Sequence, residues 1–192
     1  MNLLLMSKQS MSLYASENNP VVPFPNTYWV IPGRFLAGEF PMDVDDQGTR
    51  NRIVALLYSS IRTFVDLTEE HETAPGYQGL LRALAERNGA DTIYIRVPIQ
   101  DLSTPSARTI KCILDVIDRS MTEAQPVYVH CWAGRGRTGT VVGCYLKRHG
   151  LANDEDVIDL IAKLRRSMPN GSESSPQTAE QIRMVKMWQK GM

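Results

Sequence analysis

The chain has 192 residues, 43% of them hydrophobic and 22% charged, which suits one compact domain with a sizeable core over residues 27–192. Lys plus Arg and Asp plus Glu each number 21, so net charge gives no reason to expect a nucleic acid or a membrane surface as partner, and any anion site has to be local. Cys112, Cys131 and Cys144 lack CxxC spacing, which argues against a disulfide framework and against structural zinc. The opening MNLLLMSKQSMS is a poor secretory signal, and no apolar stretch is long enough to span a bilayer. A cytoplasmic monomer is the expectation.

Residues 1–26, rich in Ser, Asn and Pro, read as a flexible arm. Strand-sized apolar runs follow at Tyr28–Ile31, Arg34–Ala37, Ile61–Leu67, Thr92–Ile99 and Pro126–His130, and the fourth alternates strictly through Ile93, Ile95, Val97 and Ile99. Helical spacing places Tyr77, Leu80, Leu81 and Leu84 on one face, and likewise Ile110, Ile113, Leu114 and Ile117, and Val157, Ile158, Ile161 and Leu164. Thr104-Pro105 reads as a helix start and Asn88-Gly89 as a stop. Asn153 opens a third helix, whose end carries Lys163, Arg165 and Arg166. This order predicts an α/β fold: a mostly parallel central sheet of four to five strands flanked by helices, then a helical end. The stripe Ile182, Val185, Trp188 reads as core.

The chemistry is concentrated in Val127-Tyr-Val-His-Cys131-Trp-Ala-Gly-Arg-Gly-Arg137-Thr138. An apolar strand runs into a cysteine, a glycine-rich turn and a helix. Gly134 and Gly136 let successive N–H groups turn inward, and the helix start adds its positive dipole end, so Trp132, Ala133, Gly134, Arg135 and Gly136 form an anion cradle. At its floor, Cys131 is stabilised as a thiolate by the same donors and by Arg137, which makes it a nucleophile. The cradle suits the equatorial oxygens of a phosphoryl group, and Arg137 offers a planar fork that lysine lacks. Thr138 is placed to give its hydroxyl to the sulfur. Asp101 is the candidate proton donor to the leaving group, with Asp66 as the alternative. His130 is expected to orient the loop backbone.

His130-Cys131-(five residues)-Arg137-Thr138 resembles the signature of the protein tyrosine phosphatase superfamily. Asp101 lies about where its dual-specificity members carry a general acid. Gln177-Thr-Ala-Glu-Gln181 resembles the glutamine loop that positions the hydrolytic water. The resemblance implies the family fold, no metal and no cofactor, a cysteinyl-phosphate intermediate, and a phosphorylated protein or phosphoinositide as substrate. The acid loop reads Val97-Pro-Ile-Gln-Asp101 rather than Trp-Pro-Asp, and no phosphotyrosine-recognition loop is evident. The chain is therefore closest to the compact dual-specificity branch.

Other readings stay open. Gly134-x-Gly-x-x-Gly139 also fits a dinucleotide turn, although the acid-ended strand expected about 20 residues further on is missing. A phosphate-binding pseudophosphatase would keep the cradle without turnover. Gln181 is either a water-positioning residue or the partner of Thr178 in a capping box, which makes Gln177 the firmer candidate. Arg135 either meets a loop acid or, as at this position in inositide phosphatases of the superfamily, a second substrate phosphate. Cys112 and Cys144 read as core, with a protective disulfide to Cys131 as the alternative, and Gly139 and Gly143 as the contact of a helix with the sheet.

Overall fold

The computed structural model describes residues 20–73 and 76–192. Residues 1–19 of the expected arm lie outside them. The arm does not run to 26, because Phe24 is buried against Tyr128 and Thr27 Oγ1 donates to its carbonyl.

Five strands form one sheet in the order β1-β2-β5-β3-β4: β1 Thr27–Ile31, β2 Phe35–Gly38, β3 Thr63–Asp66, β4 Ile93–Arg96 and β5 Val127–His130. All neighbours are parallel except β1 and β2. Two packed clusters, one on each face, explain the continuous apolar runs of β2 and β5, which are buried throughout. Helices α1 (Asp46–Tyr58) and α2 (Gln78–Arg87) cover one face. On the other lie α3 (Ala107–Thr122), α4 (Gly136–Arg148), α5 (Val157–Arg165) and α6 (Ala179–Met187). Strand β4 is an edge, so the alternating side of Ile93 and Ile95 is only partly covered.

Several local readings are corrected. Helix α1 carries its buried apolar residues, Ile53, Leu56 and Leu57, only in its second half, so no full period shows in the sequence. Helix α3 is capped by Ser106, whose Oγ accepts from Thr109 N at 3.0 Å, rather than by Thr104. Cys112 is exposed, on the outer side of α3. Gly139 and Gly143 face away from the sheet. A Cβ on Gly139 would strike Ser175 and Pro176, and one on Gly143 would lie 2.5 Å from Val185 Cγ1 and 3.2 Å from Ile161 Cδ1. The missing side chains let α5, α6 and the segment before α6 close onto α4. In the stripe of α6, Val185 and Trp188 are buried and Ile182 is partly covered.

The strand register aligns Gly38, His130, Asp66 and Arg96 in one row at the carboxyl ends. Cys131 leaves the central strand at that row, and the chains on its two sides run to opposite flanks, the usual place for a ligand crevice in a parallel sheet.

Gly143→Ala should therefore destabilise the fold by about 1–3 kcal/mol through overpacking. In a denaturant double-mutant cycle with Val185→Ala, the shortened partner should relieve part of that loss.

Candidate active site

Cys131 is buried at the floor of the loop between β5 and α4. From Trp132 to Thr138 no backbone N–H has a protein acceptor among the described residues. The first to find one is Gly139, which donates to Arg135 O at 3.1 Å. A run of donors at a helix start is therefore left for an anion. Gly134 has φ +68°, and a Cβ there would lie 2.5 Å from the Gly38 carbonyl carbon, so the loop packs directly on the end of β2. Thr138 Oγ1 donates to Gly38 O at 3.4 Å rather than to the sulfur. Trp132 is largely exposed and stacks on Phe40, and Ala133 O accepts from Asn170 Nδ2 at 3.4 Å.

Arg137 is almost wholly buried, and it is the hub of the site. Its terminal nitrogens donate to the two oxygens of Glu72 at 2.5 and 2.7 Å. Nη1 also donates to Ile99 O at 3.0 Å, and Nη2 lies 3.0 Å from Asp101 Oδ1. Three of the five guanidinium N–H groups are thus hydrogen-bonded, and Asp101 adds an ion pair at Nη2. Nε is the one guanidinium nitrogen without a hydrogen-bond partner among the described residues. The fork that the sequence offers to phosphate is occupied by Glu72 at its end, and the Nε/Nη2 edge keeps Nε–H and one Nη2–H without a hydrogen-bond acceptor among the described residues. Hydrogen bonding to Arg137 holds the Glu72 carboxyl below its usual range, so this partner stays ionised.

Gln181 is buried and answers to the capping box. Its Oε1 accepts from Thr178 N at 3.1 Å and from Gln177 N at 3.0 Å, and its own N–H is received by Thr178 Oγ1 at 3.2 Å. Its Nε2 reaches across to Ser103 O at 3.0 Å, tying the glutamine segment to the loop of Asp101. A Cβ on Gly136 would lie 3.2 Å from Gln181 Nε2 and Oε1 and 3.3 Å from Gln177 Oε1, so the absent side chain leaves room for both glutamines beside the cysteine loop. Arg135 is paired with Glu173, and its Nε donates to Ser174 O at 3.4 Å. The loop acid, not open solvent, is its partner.

A family model described as "Tc-R-P: Polymorphic toxin system, DSP-PTPase phosphatase" matches residues 43–151, a span that runs from before α1 through the cysteine loop and α4. The chain belongs to this family of DSP-PTPase phosphatases. It is similar to the mouse "Dual specificity protein phosphatase CDC14B", 29% identical over 124 residues that cover 63% of this chain and 24% of that protein. It also resembles the Arabidopsis thaliana "Phosphatidylinositol 3,4,5-trisphosphate 3-phosphatase and protein-tyrosine-phosphatase PTEN1", 33% identical over 110 residues, 55% of this chain and 26% of that protein. The chain spans about a quarter of the length of these two relatives. Among solved structures, PTPMT1 in complex with PI(5)P aligns at a TM-score of 0.62 and 21% identity, over 85% of this chain and 94% of that one. Kinase associated phosphatase aligns at 0.65 and 18%, over 88% and 94%. At these identities the likeness is one of fold.

Behind the DSP-PTPase loop, His130 is fully buried. Its Nδ1 lies 3.3 Å from Cys131 O and its Nε2 2.8 Å from the Tyr77 hydroxyl. A carbonyl only accepts, so Nδ1 carries the proton and Nε2 accepts from Tyr77. Burial, against the pull of Asp66, keeps the His130 pKa below its usual 6.5, so the ring is neutral. Asp66 is unsuited to proton donation. It is buried, its Oδ1 accepts from Thr68 N and Oγ1, and its Oδ2 accepts from the Tyr94 hydroxyl at 2.5 Å and from Arg96 at 3.0 and 3.2 Å. Burial alone would raise its pKa, but the neighbouring His130 ring and these hydrogen bonds outweigh it and keep Asp66 ionised. Glu72 and Arg165 escaped the sequence reading. Glu72 belongs to no motif, and Arg165 reads in the sequence only as one of three basic residues at a helix end. Arg165 is instead fully buried and donates to the carbonyls of Glu173 at 2.6 Å and Asn170 at 3.2 Å.

Because the folded chain refuses a proton that the unfolded His130 accepts near pH 6.5, its contribution to stability is complete above that pH and is lost as pH falls below it. The thermal midpoint of the wild type should therefore drop more steeply between pH 7.5 and 5.5 than that of His130→Asn, whatever their absolute values.

Proposed function

We propose that the chain is a cysteine-dependent phosphatase that hydrolyses phosphate monoesters, phosphotyrosine above all and phosphoserine or phosphothreonine as well, on cytoplasmic protein substrates, acting as a monomer and without metal or cofactor. The observation that carries this reading is the juxtaposition at Cys131: a run of backbone donors without a protein acceptor among the described residues, beside an arginine whose Nε has no hydrogen-bond partner there. That set matches a tetrahedral dianion. A dinucleotide turn would give no role to the cysteine or to a buried arginine tied to the acid loop.

In the first step Cys131 Sγ forms a bond to phosphorus as the ester P–O bond breaks, and Asp101 gives its proton to the departing oxygen. The phosphoryl oxygens take the backbone donors and the Nε/Nη2 edge of Arg137. Asp101 is paired with Nη2, so a dianion that takes this edge of Arg137 displaces the side chain and frees it to reach the departing oxygen. In the second step a water beside Gln177 attacks phosphorus and loses its proton to Asp101, and the S–P bond breaks. The Thr138 hydroxyl, in a long bond to Gly38 O, can turn to the sulfur as the thiolate leaves. Gln181, Trp132, Ala133, Gly134 and Gly136 shape the cradle.

Phosphoinositide hydrolysis is the second reading, favoured by the names of the plant relative and of the PTPMT1 structure. It requires Arg135 to leave Glu173 for a further phosphate.

Cys131→Ser should abolish phosphate release while keeping phosphate-ester binding, and retained turnover would overturn the nucleophile. Arg137→Lys should lose most activity, because lysine matches neither Glu72 nor two phosphoryl oxygens. Asp101→Asn should slow alkyl and weakly acidic phenyl phosphates by roughly 10²–10⁴ and spare leaving groups that need no proton. A uniform loss across leaving groups would remove Asp101 from the acid role.

A further inference from the structure

Trp132 follows Cys131 directly and is 55% exposed, although its ring lies almost flat on Phe40, with centroids 5.7 Å apart and planes 21° from parallel. Phe40 gives a firm base. It is 4% exposed, sits edge-on to Tyr77 at 5.3 Å and to His130 at 5.4 Å, and donates its N–H to Trp132 O at 2.8 Å. The indole is thus held on one face by Phe40, and more than half of the residue stays open in a loop position next to Cys131.

The acid loop carries a second apolar group. Leu102 is 51% exposed, and its φ of +59° is one that a leucine keeps only where neighbours impose it. Ser103 imposes it here, with N and Oγ both donating to Gln100 O, while Gln181 Nε2 holds Ser103 O. The Asp101–Arg137 pair joins this loop to the cysteine loop. The nearest further cation of the cradle, Arg135, is already neutralised by Glu173. The surroundings of the phosphoryl site therefore offer an aromatic plane and an aliphatic side chain rather than a second positive charge.

We propose that Trp132 determines leaving-group specificity by stacking its open face on the ring of an aryl phosphate while the phosphoryl group lies over Cys131. This rests on the phosphatase reading above and deepens it. A supported indole needs little ordering on binding, and an aromatic pair is worth about 2- to 10-fold in affinity. A phosphoserine, with no ring, gains nothing from it.

The test uses two peptides of one sequence, carrying phosphotyrosine or phosphoserine, with wild type, Trp132→Ala and Trp132→Phe, all checked for an unchanged thermal midpoint. Trp132→Ala should narrow the phosphotyrosine-to-phosphoserine ratio of kcat/KM about 3- to 10-fold, and Trp132→Phe should retain most of it. Equal losses on both peptides would overturn the proposal. The same comparison of Kd in the Cys131→Ser background needs no turnover: a ratio narrowed by Trp132→Ala there supports the platform even if the wild type releases no phosphate, an outcome that would sink only the phosphatase reading. Turnover with an unchanged ratio would sink the platform alone.

Discussion

The architecture of the site depends on how the chain buries one guanidinium. Arg137 stands on the first turn of α4, where a cation opposes the helix dipole, and it is removed almost wholly from water. A buried charge is tolerated only when it is paired and fully hydrogen-bonded. Glu72 supplies the counter-charge, Ile99 O a neutral acceptor, and Asp101 a second carboxylate. The partners come from two segments: the short 3-10 turn at Glu70–Glu72, and the acid loop that leaves β4 and carries both Ile99 and Asp101. Satisfying Arg137 therefore fixes both segments around the cysteine at once, and among the described residues Nε is the guanidinium nitrogen left without a hydrogen-bond partner.

The floor of the site is held from the sheet by a separate set of contacts. The row Gly38, His130, Asp66 and Arg96 ends the strands together. Tyr77 and His130 pass a hydrogen-bond chain to Cys131 O, so the direction of the cysteine backbone is set by a neutral imidazole. Asp66 balances Arg96 next to it, and its fixed charge opposes loss of the His130 proton without making the ring cationic. The aromatic cluster of Phe40, Tyr77, Tyr128 and His130 fills the space under the loop, leaving little freedom for the strand end to move.

Local order with a strong period was legible in the sequence, and so was the chemistry of contiguous residues. The five strands, the faces of α2, α3 and α5, and the loop from Cys131 to Thr138 all show in short stretches of chain, because periodicity and turn chemistry are local. The losses have the opposite character. Glu72 lies 65 residues from Arg137, in a turn with no distinctive pattern. Helix α1 begins with polar residues that are held by hydrogen bonds and ion pairs, Thr49 to Asp43 and Asp45 and Arg52 to Glu39 and Asp43, rather than by an apolar face. The direction in which Gly139 and Gly143 point depends on where α6 lands, which no window around them contains. Cys112, expected in the core, is exposed and Arg165 at a helix end is buried for one reason: a side chain's position on a helix does not say which neighbour will cover it. The readings of Gln181 as a cap and of Arg135 as the partner of a loop acid each describe a contact in the structure, yet the Gln181 cap also reaches the acid loop through Ser103.

Charge is distributed so that the two arginines of the cysteine loop do different work. Arg137 faces inward and keeps an unengaged N–H, whereas Arg135 is drawn outward to Glu173, whose backbone carbonyl is gripped in turn by buried Arg165. Burial lowers the pKa of Arg165, against a base value so high that it remains a cation. Its hold on the 170–173 segment keeps Glu173 within reach of Arg135, and Ser175 Oγ adds a bond to Arg135 O at 2.8 Å. The segment that presents Gln177 is therefore tied to the cysteine loop by the same contacts that cancel its outer charge. A polyanionic substrate would have to break that tie to reach Arg135, loosening the segment that carries Gln177. A substrate with a single phosphate and a flat apolar body leaves it intact.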